Sequence, residues 1–293
     1  MPVEPPVVAR RRVRVALRAA REARGLTQGQ VAEEMSWSVS KVVRIETGEV
    51  SIGVNDLRAL LAFLGVTDPS HVAELLDAAK QSRTRQQWSN QPGMQKLLTP
   101  ALRRLIEYEA DAKSIHCFYT ILVPGRLQTR AYAYALLKKF AEDLSPEEIE
   151  ARLSARMHRR QALLRQTPPP RMRIILDQSV LDRVVGGPQV AGEQFDDLVG
   201  TIRSKGFRLR IMPYAVDAPL PSTGFYELLH LGGPDDEGDG FLYREHHTTD
   251  DIIEDQAKVA EHRRVFDQIW DVSIAEDESI ALLRQRARVL LST

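Results

Sequence analysis

The chain has 293 residues, which at roughly 100–200 residues per domain predicts about two domains. Hydrophobic residues make up 43% of it and charged residues 27%, a balance that is typical of a globular protein and excludes a disordered, collagen-like or fibrous chain. The 40 basic and 40 acidic residues cancel to a formal net charge of zero, but a zero sum does not show how charge is distributed along the chain.

Basic charge is concentrated at the start of the chain and acidic charge towards its end. Residues 1–90 hold 13 Lys and Arg against 10 Asp and Glu, and residues 235–255 hold nine acids against Arg244 alone. A phosphate-binding surface requires such a basic segment, although an arginine-rich helix is equally consistent with a solvated face. The first 24 residues hold seven arginines, which are Arg10, Arg11, Arg12, Arg14, Arg18, Arg21 and Arg24.

Residues 1–7 are predicted to form a Pro-rich, mobile leader that lacks the apolar stretch of a signal peptide. The one cysteine, Cys117, excludes an internal disulfide and favours a reducing compartment. No stretch approaches the roughly 18 apolar residues of a membrane helix. We therefore expect a cytoplasmic, nucleoid-associated protein with no membrane partner.

The spacing of apolar residues predicts an all-α domain over residues 8–80. Thr27, followed three residues later by Gln30, has the pattern of a capping box at the start of a helix. Ser38 is placed to cap the next helix, and Gly48 is placed to end it. Two helices joined by so short a turn predict a helix-turn-helix. The apolar positions expected in its core are Val13, Leu17, Ala20, Val31, Met35, Val42, Ile45, Leu57, Leu60, Leu61 and Leu64.

The polar side of the second helix carries only small or hydrogen-bonding side chains, so it can enter a major groove about 12 Å wide. Gln28 lies at the start of the first helix, where free N–H groups favour a phosphate. Trp37, in the turn, is interpreted as packing between helices. The side chains on the polar side are Ser38, Ser40, Lys41 and Arg44.

At these positions the chain resembles the Xre, or lambda-repressor-like, helix-turn-helix family, over about residues 10–66. The shared pattern is Thr-Gln-x-x-Val-Ala-x-x-x-Ser-Trp-Ser-x-Ser-Lys-Val-x-Arg-Ile-Glu-x-Gly. The resemblance implies a five-helix domain of a DNA-binding transcriptional regulator, with double-stranded DNA as its partner. It also implies that Glu46 holds the fold by pairing with an arginine of the first helix.

The same resemblance assigns the DNA contacts residue by residue. Gln28 is expected to contact the backbone or a base. Independently of the resemblance, Arg12 of the basic segment is expected to contact phosphate. Gly29 and Val39 depart from the family pattern: Gly29 softens its helix by up to about 1 kcal/mol against Ala, and Val39 stands where proline or a polar residue is common. The recognition helix is expected to present Ser38, Val39, Ser40, Lys41 and Arg44.

Residues 81–99 are polar and contain a Pro-Gly pair, which predicts a linker. In residues 100–293, helical stretches alternate with short runs rich in β-branched residues, which predicts a C-terminal mixed α/β (α+β) domain. Helices are predicted at about 100–112, 126–141, 146–165, 190–205, 251–271 and 275–290. Strands are predicted at 114–122, 171–176, 207–213, 225–230 and 241–246.

This C-terminal part resembles an actinobacterial regulator group in which an Xre domain precedes a domain of unknown function. The resemblance rests on Leu122–Thr129 with Ala131-Tyr132-Ala133, on Val185–Pro188 and on Arg210–Tyr214, and with the first domain it covers nearly the whole chain. It implies an antitoxin-like transcriptional regulator, often encoded beside a small partner protein. Val123-Pro124-Gly125 is interpreted as a plain turn, with the rim of a pocket as the alternative.

No nucleophile elbow, Walker loop or dinucleotide glycine pattern is present in the sequence, so we expect no catalytic residue, cofactor or metal. His246 and His247 beside Asp250 and Asp251 leave a metal or acid–base site open, although the end of a strand running into a helix cap is favoured. Residues 235–240 resemble the start of a calcium loop, but the twelfth position is His246 and an acidic hairpin turn is favoured.

The sequence therefore predicts a sequence-specific DNA-binding regulator rather than an enzyme. We expect a homodimer, because lambda-repressor-like domains bind paired half-sites about 34 Å apart. Residues 100–293 are expected to supply much of the dimer contact and to sense a small-molecule effector or a partner. The alternatives are an antitoxin-like regulator controlled by a small partner protein at the same domain, and an enzyme domain fused to a DNA-targeting module.

Overall fold

The computed structural model describes residues 6–82, 98–140, 145–217, 224–232, 240–245 and 250–293. The chain divides into two compact units, Met1–Asn90 (the first unit) and Gln91–Thr293 (the second unit). Most of the predicted linker, residues 83–97, lies outside the described residues.

The described part of the first unit is all-α and contains five helices. Side-chain caps begin three of them, because Thr27, Ser38 and Asp68 each accept a hydrogen bond from a backbone N–H of the first turn. Gly53 precedes the first residue of a fourth helix and supplies no side-chain cap. The helices are α1 Pro6–Ala23, α2 Gln28–Glu34, α3 Val39–Glu46, α4 Val54–Phe63 and α5 Pro69–Gln81.

Helix α1 begins within the predicted leader. Pro6 suits the first turn of a helix, since it has no N–H to leave unpaired, and Val7 is buried with 5% of its surface exposed. The rest of the leader, residues 1–5, lies outside the described residues. The apolar residues predicted for the core of the first unit pack together. Among them, Leu17, Val31, Val42, Ile45 and Leu57 are at most 4% exposed and belong to one cluster.

The described part of the second unit is a mixed α/β fold, which confirms the predicted fold class. Its helices are α6 Pro100–Asp111, α7 Arg130–Phe140, α8 Pro146–Arg165, α9 Ser179–Asp182, α10 Pro188–Lys205, α11 Gln256–Val272 and α12 Glu276–Leu291. Its strands are β1 Ser114–Tyr119, β2 Arg171–Asp177, β3 Arg208–Met212, β4 Phe225–His230, β5 Gly240–Glu245 and β6 Asp250–Ile253.

The six strands form one sheet in the order β3-β2-β1-β4-β5-β6. Strands β1, β2 and β3 pair in parallel through helical crossovers, whereas β4, β5 and β6 add antiparallel neighbours. Helix α11 packs on one face, where Phe118 and Ile175 meet Phe266. The alternate residues Cys117 and Ile174 point to the opposite face and are fully buried, so both faces of the sheet are covered.

Several elements of the second unit differ from the prediction. No helix was predicted for α9, Ser179–Asp182, and β1 ends at Tyr119 and not at residue 122. The segment 250–253 is strand β6 instead of the start of a helix, because Ile252 and Ile253 pair with β5 and Asp255 caps α11 further along. Helix α7 begins at Arg130 and not at residue 126, because Gly125–Leu127 forms a separate 3-10 turn.

Candidate nucleic-acid interface

Local side-chain caps build the helix-turn-helix. The Gln30 backbone N–H donates to Thr27 Oγ1 at 3.2 Å, and the Thr27 N–H donates to Gln30 Oε1 at 2.8 Å, which confirms the predicted capping box. The Lys41 N–H donates to Ser38 Oγ at 3.1 Å, so Ser38 caps α3 as predicted. Between the two helices, Ser36 adopts a left-handed conformation with φ of 53°, which reverses the chain within four residues.

Helix α3 buries one side and exposes the other. Val42 and Ile45 are 3% and 4% exposed and pack in the core. The chain leaves the helix at Gly48, whose φ of 79° is the left-handed value predicted for a helix end. Four of the predicted DNA-contact residues lie on the exposed side of α3 or at its cap, and they are Ser38, Val39, Ser40 and Arg44.

Glu46 ties three helices together at the back of this surface. Arg21 on α1 donates to both of its carboxylate oxygens, from Nε at 2.6 Å and from Nη2 at 3.1 Å. This hydrogen bonding raises the pKa of Arg21, and it confirms that Glu46 pairs with an arginine of the first helix. The Gln28 amide also donates to Glu46 Oε2 at 2.8 Å, which fixes Gln28 at the start of α2.

Lys41 does not project freely from the recognition helix. Its Nζ lies 3.0 Å from Asp56 Oδ2 on α4 and 3.7 Å from the centre of the Trp37 ring. Arg44 also has an acidic neighbour, since its Nε lies 3.5 Å from Glu49 Oε2. Asp56 and Glu49 were not predicted, because no helical spacing connects them with the cations that they contact.

The arginine-rich start of the chain serves partly as structure. Arg11 and Arg14 are each only 5% exposed, and a Cβ atom on Gly48 would lie 2.9 Å from Arg14 Nε, so Arg14 packs against the end of α3. Arg18 pairs with Glu22 one turn later at 2.9 Å. Arg12 is exposed on α1. Part of the arginine-rich segment is therefore structural, and Arg12, the residue expected to contact phosphate, is on its exposed side.

The second unit contains a buried network of charges that was not predicted. Arg126 and Glu227 are each 1% exposed and form an ion pair, and Arg126 Nη2 also lies 2.8 Å from Glu109 Oε1. Arg159 donates from Nε to Glu109 Oε2 at 2.9 Å, and the Tyr119 hydroxyl donates to Glu227 Oε1 at 2.5 Å. The network joins α6, α8, β1 and β4 through residues that are far apart in sequence, so no local pattern indicates it.

The electrostatics of this network favour the charged form of Glu109 and the neutral form of the Cys117 thiol. Burial opposes ionisation of Glu109, but Arg126 and Arg159 outweigh that effect and hold its pKa below the usual value. Burial and the Glu227 carboxylate raise the pKa of the Cys117 thiol well above its usual range. Cys117 is therefore the small buried residue that the sequence indicated, and it lacks the lowered pKa of a reactive thiol.

The segment around Val123-Pro124-Gly125 is a turn held from several sides. The Gln128 side chain donates to the Val123 carbonyl at 2.8 Å, and Arg156 donates to Gln128 Oε1 at 3.0 Å. The Gln194 side chain accepts from the Thr129 N–H at 2.7 Å and donates to the Leu127 carbonyl at 2.9 Å. These bonds favour the interpretation as a turn over that as the rim of a pocket.

The alternative metal sites lie mostly beyond what the structure describes. Residues 233–239 and 246–249, with the acidic turn and both histidines of the proposed cluster, are outside the described residues, while Asp250 and Asp251 lie in β6. Elsewhere in the described ranges, no group of three or more His, Cys, Asp or Glu side chains is placed to hold a metal ion. No described helix is long and apolar enough to cross a membrane.

Comparisons with known proteins divide the chain in the same two parts. Residues 12–75 match the model of a helix-turn-helix domain, which covers most of α1 to α5. Residues 102–285 match the model described as a domain of unknown function, DUF5753. No curated protein and no solved structure matches the chain. The matches confirm the helix-turn-helix and the following domain of unknown function, which are the coarser parts of the resemblances.

Proposed function

The chain belongs to the DUF5753 family and carries a helix-turn-helix domain, and we propose that it is a sequence-specific DNA-binding transcriptional regulator of the Xre type. The exposed side of α3 carries this proposal. It presents Ser38, Val39, Ser40 and Arg44 on a helix whose other side is packed in the core, and such a helix enters the major groove with its N-terminal residues against the base edges.

Two further residues of the first unit support phosphate contacts. Arg12 is exposed on α1, and Gln28 is held at the first turn of α2, where backbone N–H groups favour a phosphate oxygen. Phosphate contacts of this kind fix the register of the protein on DNA, and the residues of α3 then read the sequence.

We also propose a homodimer, since helix-turn-helix domains read half-sites about one helical turn apart, or 34 Å. Exposed apolar residues on α12 support a dimer contact that is formed by the second unit. Leu282 and Val289 are 36% and 49% exposed and lie two helical turns apart on one side.

We propose that the second unit controls DNA binding through a small-molecule effector or a small partner protein, and that it does not catalyse a reaction. The proposed absence of catalysis is supported by Arg126 and Glu227, which are buried and paired with each other instead of facing a substrate. A partner protein, as in an antitoxin-like regulator, would co-purify with the chain when the neighbouring small gene is expressed. An effector alone would change DNA affinity without such a complex.

The function is tested by selecting bound duplexes from random DNA with the full-length protein. We expect one enriched motif with two inverted halves, and binding that weakens steeply as salt rises. A matched selection with a variant that carries Ser40→Ala and Arg44→Ala should lose the motif. Recovery of no preferred sequence, or of no salt-sensitive binding at all, would contradict the proposal.

A further inference from the structure

Val39 is an exposed apolar side chain on the recognition helix. It is the first residue of α3, directly after the Ser38 cap, and 51% of its surface is exposed. The other two valines of α3 are less exposed, and Val42 lies in the core at 3%. Val39 is not among the hydrophobic residues that pack against that core.

The fold gives no reason for valine at this position. A β-branched side chain weakens a helix slightly, and the N-terminal cap is already supplied by Ser38. Its neighbours Ser38 and Ser40 are exposed and polar. An isolated valine at the leading edge of a recognition helix therefore gains stabilisation only when a partner covers it.

In a major groove, the base edges offer one apolar group, which is the C5-methyl of thymine. Val39 is better suited to contact this methyl group than the residues beside it. Ser38 and Ser40 carry hydroxyls that donate or accept and so tolerate several bases. Lys41 contacts Asp56 and Trp37, with its Nζ 3.0 Å from the Asp56 carboxylate. Its ammonium group is therefore directed to these residues and not to Val39.

We infer that Val39 is a specificity-determining residue that recognises a thymine by contact with its C5-methyl group. The inference rests on the proposed function, because it assigns one base to the surface that is proposed to bind DNA. It goes further by naming the group recognised, since each half of the binding motif should contain a thymine whose methyl is required.

Replacing thymine by uracil tests this contact, because uracil lacks the methyl and keeps the same hydrogen-bonding groups. Duplexes that carry the selected motif are made with uracil at one thymine at a time, and the dissociation constant of the full-length protein is measured for each. We expect one thymine in each half to lose about fourfold in affinity, the effect of one methyl-sized group losing its apolar contact. The same replacement should leave the affinity of a Val39→Ala variant unchanged.

The control is Val15→Ala, which makes the same change at a valine that is 44% exposed on α1 and should keep the uracil sensitivity. A variant with weak binding is titrated at lower salt, where phosphate contacts raise affinity for every sequence. Wild-type binding that no uracil weakens, or a sensitivity that persists in Val39→Ala, would overturn the role of Val39 and leave the proposed function standing. Failure of the wild type to bind any duplex would instead remove the proposed function.

Discussion

At the scale of single residues, the surface of α3 combines contacts that the sequence indicates with contacts that it does not. The caps at Thr27 and Ser38 were predicted because their partners lie three residues away, within one helical turn. The pairing of Glu46 was implied by the family resemblance, and the structure assigns it to Arg21, 25 residues away. The Lys41–Asp56 contact could not be predicted, because it depends on how α4 packs beside α3.

Replacing either of the two arginines of the proposed interface should change DNA binding in a different way. Arg44 lies on the exposed side of α3, and Arg12 lies on α1, so we expect a base contact for the first and a phosphate contact for the second. Arg44→Ala should relax the base preference at one position of each half-site by about 1–3 kcal/mol, whereas Arg12→Ala should weaken all sequences alike. Competition binding with point-mutated duplexes measures both, and an equal loss for both variants would contradict the assignment.

Asp56 should restrain DNA binding through Lys41. Asp56→Asn removes the carboxylate 3.0 Å from the Lys41 ammonium, which releases a positive charge beside α3 and removes a negative one. We expect affinity to rise several-fold at low salt and the salt dependence to steepen by about one phosphate contact. The matched control is Asp77→Asn, which breaks the exposed Lys80–Asp77 pair on α5. An unchanged affinity in Asp56→Asn would show that Lys41 takes no part.

At the scale of the elements, predictions succeeded where a local pattern decides and failed where a distant partner decides. Helix α8 begins at Ser145, where a capping box and Pro146 mark its start in the sequence. Strand β6 was predicted as helix, because it is only four residues long and exists through pairing with β5. The parallel order of β1, β2 and β3 depends on the crossovers between them, which no single strand sequence encodes.

The end of α6 carries an unfavourable charge whose removal should stabilise the second unit. Asp111 is the last residue of α6 and its Oδ2 is buried without a hydrogen-bond partner. A negative charge also interacts unfavourably with a helix C-terminus. Burial raises the pKa of Asp111 to about 6, whereas its usual pKa is near 4. Between these two pH values the folded state keeps a proton on Asp111 that the unfolded state has lost. Stability from this group is present below about pH 4 and declines as pH rises to about 6.

Asp111→Asn should therefore raise the free energy of unfolding at pH 7 by about 1 kcal/mol, a value discounted for the partial exposure of the side chain. At pH 4 the same variant should be no more stable than the wild type, since both side chains are then uncharged. Urea unfolding at the two pH values measures the difference. An equal gain at pH 4 and pH 7 would mean that the carboxylate charge is not the cause.

At the scale of the whole molecule, the zero net charge is the sum of two parts of the chain with opposite excess charge. Residues 1–90 carry more basic than acidic residues and the remainder carries more acidic than basic ones. We expect the excess of acid in the second unit to add no attraction to DNA and so to keep non-specific binding low. In the described part of that unit, a network of buried charges holds helices to the sheet and faces away from solvent. The network consists of Arg126, Glu227, Glu109 and Arg159.

In the proposed dimer, the two chains contact each other through their second units. Val289→Lys introduces a charge on the exposed apolar side of α12, and we expect the sedimentation coefficient to change from that of two chains to that of one. Val272→Lys, at a valine that is 43% exposed at the end of α11, is the control and should remain dimeric. A wild type that sediments as a monomer would contradict the dimer, and a dimeric Val289→Lys would place its contact elsewhere.

The central claim is that α3 reads a DNA sequence, and an anisotropy titration of one labelled duplex tests it most directly. The full-length protein is titrated into the selected motif and into a scrambled duplex of equal length and composition at physiological salt. We predict that the motif is bound at least about a thousandfold more tightly than the scrambled duplex. Equal affinity for the two duplexes, or binding to neither, would contradict the account.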